Sequence, residues 1–367
     1  MPTTSDFAVN AVKFQEEQID ASTKHFNHII DGNRGKHPKW YEVGAATFRQ
    51  MVKDRKGPMP VPAKLPNAHD AIIPSREPGR DIPVRVYMPD NGKPSRGVFL
   101  YLHGGGFVVG THQDADVLLR AYANSCQLTS ISVGYRLAPE NPFPAGLNDC
   151  IDVAEHLVDN APALFGAPLK VLAGASAGGN LAVVTTFQLM RSRPRHRLAA
   201  VLLNFGCFDL TMNMPSAVQG AQSLVVDRAM LEHFVAAYVD GASIGECRDP
   251  RISPVYEDVR RLAAESPFRT LPPALFNCGT ADLLLDDSLM MSLKWMSSGS
   301  EAVVKLYPGS PHGFTAFKGS KMAEEAAAVT EEWLREKLAE SAPEGFKPRQ
   351  NLSLELSRCF QCAGLSL

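Results

Sequence analysis

Along this chain, short runs of apolar and β-branched residues alternate with longer stretches whose apolar positions recur every three or four residues. The runs predict strands at Ala71–Pro74, Ile82–Tyr87, Gly97–Leu102, Leu128–Val133, Leu169–Ala173, Ala199–Phe205, Ala274–Cys278 and Ala302–Tyr307. The later ones are almost continuously apolar, as a parallel sheet covered on both faces requires. Between them the spacing predicts helices over Asp114–Asn124, Gly146–Val158, Gly179–Met190, Leu283–Met296 and Lys321–Leu338. In the last of these Met322, Ala326, Val329 and Trp333 share one face. Strand and helix in turn predict an α/β domain with right-handed crossovers.

Two regions depart from the alternation. Residues 1–60 are polar with scattered apolar positions (Phe7, Val12, Phe14, Ile19, Phe26, Ile29, Ile30) and read as amphipathic helices that need a partner surface. Residues 211–265 hold no good strand but an amphipathic stretch, Asp227–Val239. Together these two regions are expected to form a small helical cap on a core made of residues 61–210 and 266–340, with 341–367 as a tail. Four prolines between Gly57 and Pro66 suit neither helix nor central strand, so that segment is a connector.

Composition narrows the function classes. Apolar residues are 45% and charged residues 21%, ordinary globular values, and 37 basic against 39 acidic side chains give a net charge of −2. No bulk positive field is present to draw in nucleic acid. No apolar run approaches the roughly 18 residues of a membrane span, and the N-terminus shows no secretory pattern. Seven cysteines at scattered spacing do not resemble a disulfide framework, and Cys359-Phe-Gln-Cys362 lacks the βα context of a redox motif. The arginines of Arg191-Ser-Arg193-Pro-Arg195-His-Arg197 follow a helix and read as a solvated face. These features predict a cytoplasmic globular protein.

Four segments carry chemistry. Gly174-Ala-Ser176-Ala-Gly178 sits between a strand and a helix, a pattern that exposes a serine on a tight turn at the sheet edge, beside free N–H groups at a helix start. His103-Gly-Gly-Gly106 follows a buried strand, where three glycines cost stability unless the backbone must approach a ligand; an oxyanion hole is such a requirement. No Lys-Ser/Thr follows to make it a phosphate loop. Ser310-Pro-His312-Gly-Phe314 puts a histidine in a post-strand loop on the same edge, where a general base must lie to reach the serine. Gly279-Thr-Ala-Asp282 offers a carboxylate on the adjoining loop. Asp286 and Asp287 compete with it but lie a turn into the next helix.

The order Ser176, Asp282, His312 is that of α/β hydrolases. With Tyr135-Arg-Leu-Ala-Pro-Glu140, Phe143-Pro-Ala145 and Gly174-Ala-Ser-Ala-Gly-Gly-Asn180, the chain resembles the hormone-sensitive-lipase-like family of carboxylesterases over roughly residues 68–340. The resemblance implies an α/β-hydrolase fold: an eight-stranded, mostly parallel sheet flanked by helices, with a helical cap. It implies Ser176 as nucleophile, His312 as base, Asp282 as orienting acid, and the N–H groups of Gly105, Gly106 and Ala177 as the oxyanion hole. His103, with Gly104, would brace the glycine loop, and Glu140 would support the nucleophile turn from beneath.

Two positions depart from the family pattern: Ala175 stands where Asp is frequent and Leu283 where Pro is frequent. Neither removes a triad member. The implied reaction is hydrolysis of small to medium hydrophobic carboxylic esters without metal or organic cofactor. Acyl transfer, amide or formamide cleavage on the same triad, and a non-catalytic small-molecule receptor are the alternative readings. The apolar residues Met212, Met214, Leu224, Val225, Met230, Leu231 and Phe234 either line an acyl pocket or pack the cap. The partner is a small-molecule ester, with no nucleic acid and no membrane span; oligomeric state is open, a homodimer through an open sheet edge being one arrangement.

Overall fold

The computed structural model describes residues 7–58, 62–219 and 223–341. The first six residues, the middle of the proline-rich connector (59–61) and the tail with Cys359 and Cys362 lie outside the described residues. Three helices come first: α1 (Ala21–Gly32), α2 (Trp40–Val43) and α3 (Ala45–Lys53). α1 begins where the Asp20 carboxylate accepts the N–H groups of Ser22 and Thr23, which its own first turn leaves unpaired. The alternation then sets in with β1 (Ala68–Pro74), β2 (Asp81–Tyr87), β3 (Val98–Leu102), α4 (Asp116–Cys126), β4 (Thr129–Val133), α5 (Ala145–Phe165), β5 (Leu169–Ala175), α6 (Ala177–Ser192) and β6 (Ala200–Asn204). It is interrupted by α7 (Pro215–Gln219), α8 (Arg228–Val239) and α9 (Val259–Glu265), then resumes with β7 (Ala274–Gly279), α10 (Leu285–Ser297), β8 (Ala302–Tyr307) and α11 (Lys321–Glu340).

All eight expected strands are present, in the order β1-β2-β4-β3-β5-β6-β7-β8. β2 runs antiparallel to both neighbours and every other pairing is parallel. Helix α5 runs beyond the expected end at Val158 and continues past Pro162, which removes one backbone donor in its last turn.

Two-residue alternation on the central strands divides the core. Leu100, Leu102, Leu172, Val201, Leu203 and Phe276 pack with α5, α6 and α10. Phe99, Val171, Ala173, Leu202 and Leu275 point the other way, onto α4 and α11. Within α11 the buried stripe is Met322, Ala326, Thr330, Trp333, Leu334 and Leu338, with Val329 only half-buried. On the first face Trp295 is fully buried and its indole N–H donates to the Pro272 carbonyl at 2.8 Å.

The N-terminal helices lie over loops at the C-terminal ends of the strands. Phe26 and Ile30 of α1 pack with Phe314, Phe317 and Val225. Trp40 and Ala45 cluster with Phe234 of α8 and with Val108 and Ala138, which follow β3 and β4.

Candidate active site

The serine turn follows from two close approaches. A Cβ on Gly174 would stand 2.0 Å from the Gly178 carbonyl oxygen, and a Cβ on Gly178 2.0 Å from that of Leu102. Only glycines let β5 turn directly into α6 against the end of β3. Between them Ser176 takes φ 55° and ψ −122°, a left-handed conformation rare for a side chain other than glycine. The turn is held because Ser176 N–H donates to the Asn204 carbonyl (2.9 Å) and the Ser176 carbonyl accepts from Gly179 (2.8 Å). Asn180, buried, anchors the first turn of α6 by donating to the carbonyls of Cys207 and Ile252.

The loops after β7 and β8 meet the same edge and are stitched together. Ala281 N–H donates to the Ser310 carbonyl, and Gly309 N–H to the Thr280 hydroxyl at 2.8 Å. They bring His312 between the two other residues: its Nε2 is 2.9 Å from Ser176 Oγ, and its Nδ1 is 2.9 Å and 3.1 Å from the Asp282 carboxylate oxygens. Asp282 also accepts the Leu284 N–H at 2.9 Å, which fixes its carboxylate plane. Phe205, held at φ 40° after β6, sets its ring edge-on to the imidazole at 5.0 Å. Sequence reasoning missed it, because a phenylalanine ending an apolar strand gives no sign of its left-handed backbone.

The two rival carboxylates have other duties. Asp286 accepts the Ser216 N–H, and Asp287 accepts the N–H groups of Phe208 (2.6 Å) and Asp209 (2.8 Å). Burial, reinforced by the like charges of Asp209 and Asp282, pushes the Asp287 carboxyl up to about 8.

The glycine loop lies against the serine turn: a Cβ on Gly104 would be 2.9 Å from the Ala175 carbonyl oxygen and 3.4 Å from Ser176 Cβ. Gly105 (φ 119°) turns the chain sharply, and its carbonyl accepts from both Val108 and Val109. Among the described residues, the N–H groups of Gly105, Gly106 and Ala177 have no hydrogen-bond acceptor in the protein. His103 is buried beside the loop, stacked on Tyr135 with ring centroids 4.3 Å apart, and its Nδ1 lies 2.8 Å from the Gly104 carbonyl, which makes Nδ1 the protonated nitrogen. Burial pushes this imidazole down to about 4, so it stays neutral. The Tyr135 hydroxyl donates to the His103 carbonyl at 2.8 Å.

Glu140 is not beneath the nucleophile turn, contrary to expectation. Its side chain is 47% exposed and pairs with Arg49 of α3 through two bonds of 3.0 and 2.9 Å. A carboxylate under the turn would be buried without a cation, whereas here a planar guanidinium matches both oxygens. That partner holds the Glu140 carboxyl below the usual carboxylate range. Support beneath the turn comes instead from Asn180 and the Asn204 carbonyl. Arg49 itself gave no signal in the sequence, lying among the polar residues of an N-terminal helix.

The apolar residues of 211–265 divide in use. Met212 and Leu231 are buried in the main core, while the Phe234 ring occupies the place where a Cβ on Gly106 would project, and stacks on Trp40 with centroids 5.1 Å apart. The arginine run is partly paired, Arg191 with Glu257 and Arg193 with Asp159. A cavity of about 580 Å³ lined by Phe143, Val239, Arg248 and Asp249 includes no triad residue.

A family model described as an alpha/beta hydrolase fold matches residues 99–316, more than half of the chain. The chain belongs to the hormone-sensitive-lipase-like family of α/β hydrolases. It is similar to the carboxylesterase NlhH of Mycobacterium tuberculosis, 33% identical over 240 residues that cover 65% of this chain and 72% of the relative. An ethyl acetate hydrolase of Pseudomonas putida is 31% identical, covering 64% of this chain and 72% of its own. Among solved structures, a hyperthermophilic esterase from the archaeon Pyrobaculum calidifontis superposes with a TM-score of 0.71 at 28% identity, over 85% of this chain and 97% of that one. This α/β hydrolase is accordingly an enzyme of the ester-hydrolysing class. Arg49 and Trp40 lie outside the segment that the family model matches.

Proposed function

We propose that Ser176, His312 and Asp282 cleave small to medium hydrophobic carboxylic esters through an acyl-serine intermediate. The observation that carries this reading is the unbroken chain of short contacts from Asp282 through both ring nitrogens of His312 to Ser176 Oγ. With Nδ1–H donated to the carboxylate, Nε2 is the free base and takes the Ser176 proton as Oγ bonds to the ester carbonyl carbon. The carbonyl oxygen becomes an oxyanion facing the N–H groups of Gly105, Gly106 and Ala177, where a single donor is typically worth about 3 kcal/mol. When the tetrahedral intermediate collapses, the C–O bond to the alcohol breaks and imidazolium Nε2–H protonates the leaving oxygen. A water then gives its proton to Nε2 and attacks the acyl carbon. As this second intermediate collapses, the bond from the acyl carbon to Oγ breaks and Nε2–H returns the proton to Oγ, releasing the acid and restoring Ser176. Asp282 holds the ring and balances its transient charge.

The preference for small to medium hydrophobic esters rests on the likeness to the carboxylesterase and ethyl acetate hydrolase relatives. With this reading go two finer expectations. One is a cytoplasmic location, in keeping with five described cysteines that are buried and unpaired. The other is a homodimer across the open edge at β8, which has β7 as its single strand neighbour. No helix among the described residues is long and apolar enough to cross a membrane.

The deciding experiment replaces Ser176 with Ala and measures turnover of p-nitrophenyl butyrate. Loss of turnover at an unchanged melting temperature is expected. Retained turnover would overturn the assignment.

A further inference from the structure

We propose that Arg49 is a positioning residue for the oxyanion hole, an inference that rests on the assignment of Gly105 and Gly106 to that hole. One guanidinium spends its donors on three different places. Nε donates to the Val108 carbonyl at 2.7 Å, Nη2 to the Ala138 carbonyl at 2.6 Å, and Nη1 and Nη2 to the Glu140 carboxylate at 3.0 and 2.9 Å. Val108 and Ala138 are buried, and among the described residues no other group donates to these two carbonyls.

The consequence for the glycine turn follows from its own hydrogen bonds. Val108 N–H and Val109 N–H both end on the Gly105 carbonyl, so the peptide planes of 105 and 108 move together. Ala138 N–H donates to the Phe107 carbonyl at 2.9 Å. The loop 105–109 is therefore tied to residue 138 directly through Phe107 and a second time through Arg49. In the same cluster as Val108 and Ala138, Phe234 fills the space beside Gly106 and Trp40 stacks on Phe234. One N-terminal segment thus holds the turn by two contacts, Trp40 through Phe234 of α8 and Arg49 on the backbone directly. A backbone oxyanion hole has no side-chain geometry of its own, so its donors point where the loop is held. A planar fork suits this task. Lysine, a point charge on a flexible stem, cannot serve two carbonyls and a bidentate carboxylate at once.

Glu140 belongs to the same device. It sits one residue beyond Pro139 and holds the guanidinium plane so that its other edge faces the two carbonyls.

The test compares Arg49→Ala, Arg49→Lys and Glu140→Gln with the unaltered full-length enzyme on p-nitrophenyl butyrate. Active serine is counted by end-point labelling with a fluorophosphonate. Arg49→Ala is expected to lower kcat by about 10- to 100-fold, the scale of sub-ångström to ångström misplacement of catalytic groups, with KM changed by less than about threefold. Arg49→Lys should recover only part of the loss. Added methylguanidinium should raise kcat of Arg49→Ala while leaving the wild type unchanged. Glu140→Gln, which keeps an acceptor, should lower kcat by only about threefold. Inhibition by a trifluoromethyl ketone, which forms the tetrahedral oxyanion, should weaken in parallel with kcat.

Full serine labelling with an unaltered kcat in Arg49→Ala would overturn the proposal and leave the triad intact. Absence of labelling in the wild type would instead remove the reading on which the proposal rests. Should Arg49→Ala fail to fold, Arg49→Lys and Glu140→Gln decide: unchanged kcat and unchanged ketone affinity in both would overturn it.

Discussion

Replacing Asp282 with Asn isolates the contribution of the acid because the surroundings dictate how the amide must sit. One carboxylate oxygen accepts the Leu284 N–H at 2.9 Å and lies 3.1 Å from His312 Nδ1, while the other faces Nδ1 alone at 2.9 Å. An asparagine that turned its NH₂ toward Leu284 would set two donors face to face and leave a buried N–H unpaired, a cost of about 1–3 kcal/mol. The amide therefore keeps its oxygen on Leu284 and presents NH₂ to the imidazole. With NH₂ at the nearer position, Nδ1 accepts from it in preference to donating to the 3.1 Å oxygen, the ring proton moves to Nε2, and Nε2 can no longer take the proton of Ser176, 2.9 Å away. The negative charge that balances the imidazolium is lost as well. Loss of both functions in a triad lowers kcat by roughly 10⁴, or about 5.5 kcal/mol in the barrier. KM should barely change, since the buried carboxylate touches His312 rather than the substrate. The assay is steady-state turnover of p-nitrophenyl butyrate with active serine counted by titration, alongside thermal melting. A loss of kcat smaller than tenfold in a folded Asp282→Asn variant would refute the tautomer argument.

Gly178→Ala should lower both stability and activity, because the new Cβ would sit 2.0 Å from the Leu102 carbonyl oxygen and 2.5 Å from that of His103, neither of which is a flexible side-chain end. About 2–3 kcal/mol of overpacking is expected, read as a melting temperature lower by several degrees, and an unchanged melting curve would contradict it. Asp287→Asn keeps an oxygen for the N–H groups of Phe208 and Asp209 but cannot ionise. In the native enzyme this carboxyl holds its proton up to about pH 8, whereas the unfolded chain releases it near 3.8, so the folded state loses relative stability as pH rises through that interval. The stability of Asp287→Asn relative to wild type should therefore increase from pH 5 to pH 8.5, and an offset independent of pH would refute the assigned cause.

Much of this enzyme is set by local sequence. Apolar and β-branched runs mark all eight strands, most plainly β3 and β6 at the centre of the sheet, which are buried on both faces, while β1 and β8 at its edges are only partly buried. Helix α11 shows its buried stripe at helical spacing. The glycines at 174, 178 and 104–106 were legible because a chain tolerates their conformational cost at a strand end chiefly where its backbone must pass close to another group. The histidine and aspartate could be chosen by their place in post-strand loops, because a parallel sheet gathers those loops on one edge. Distances, angles and partners were decided by the tertiary structure. Glu140 shows the limit: its neighbours in sequence place it near the active site, but its partner is 91 residues away on α3, and the pairing took it out to the surface. Arg49 and Phe205 were invisible for the same reason. One is an ordinary polar residue on a helix and the other an ordinary aromatic at a strand end until folding sets the first on the carbonyls of Val108 and Ala138 and the second against His312. Periodicity records which face of an element is buried, whereas a hydrogen bond between distant segments exists only once the chain has closed on itself.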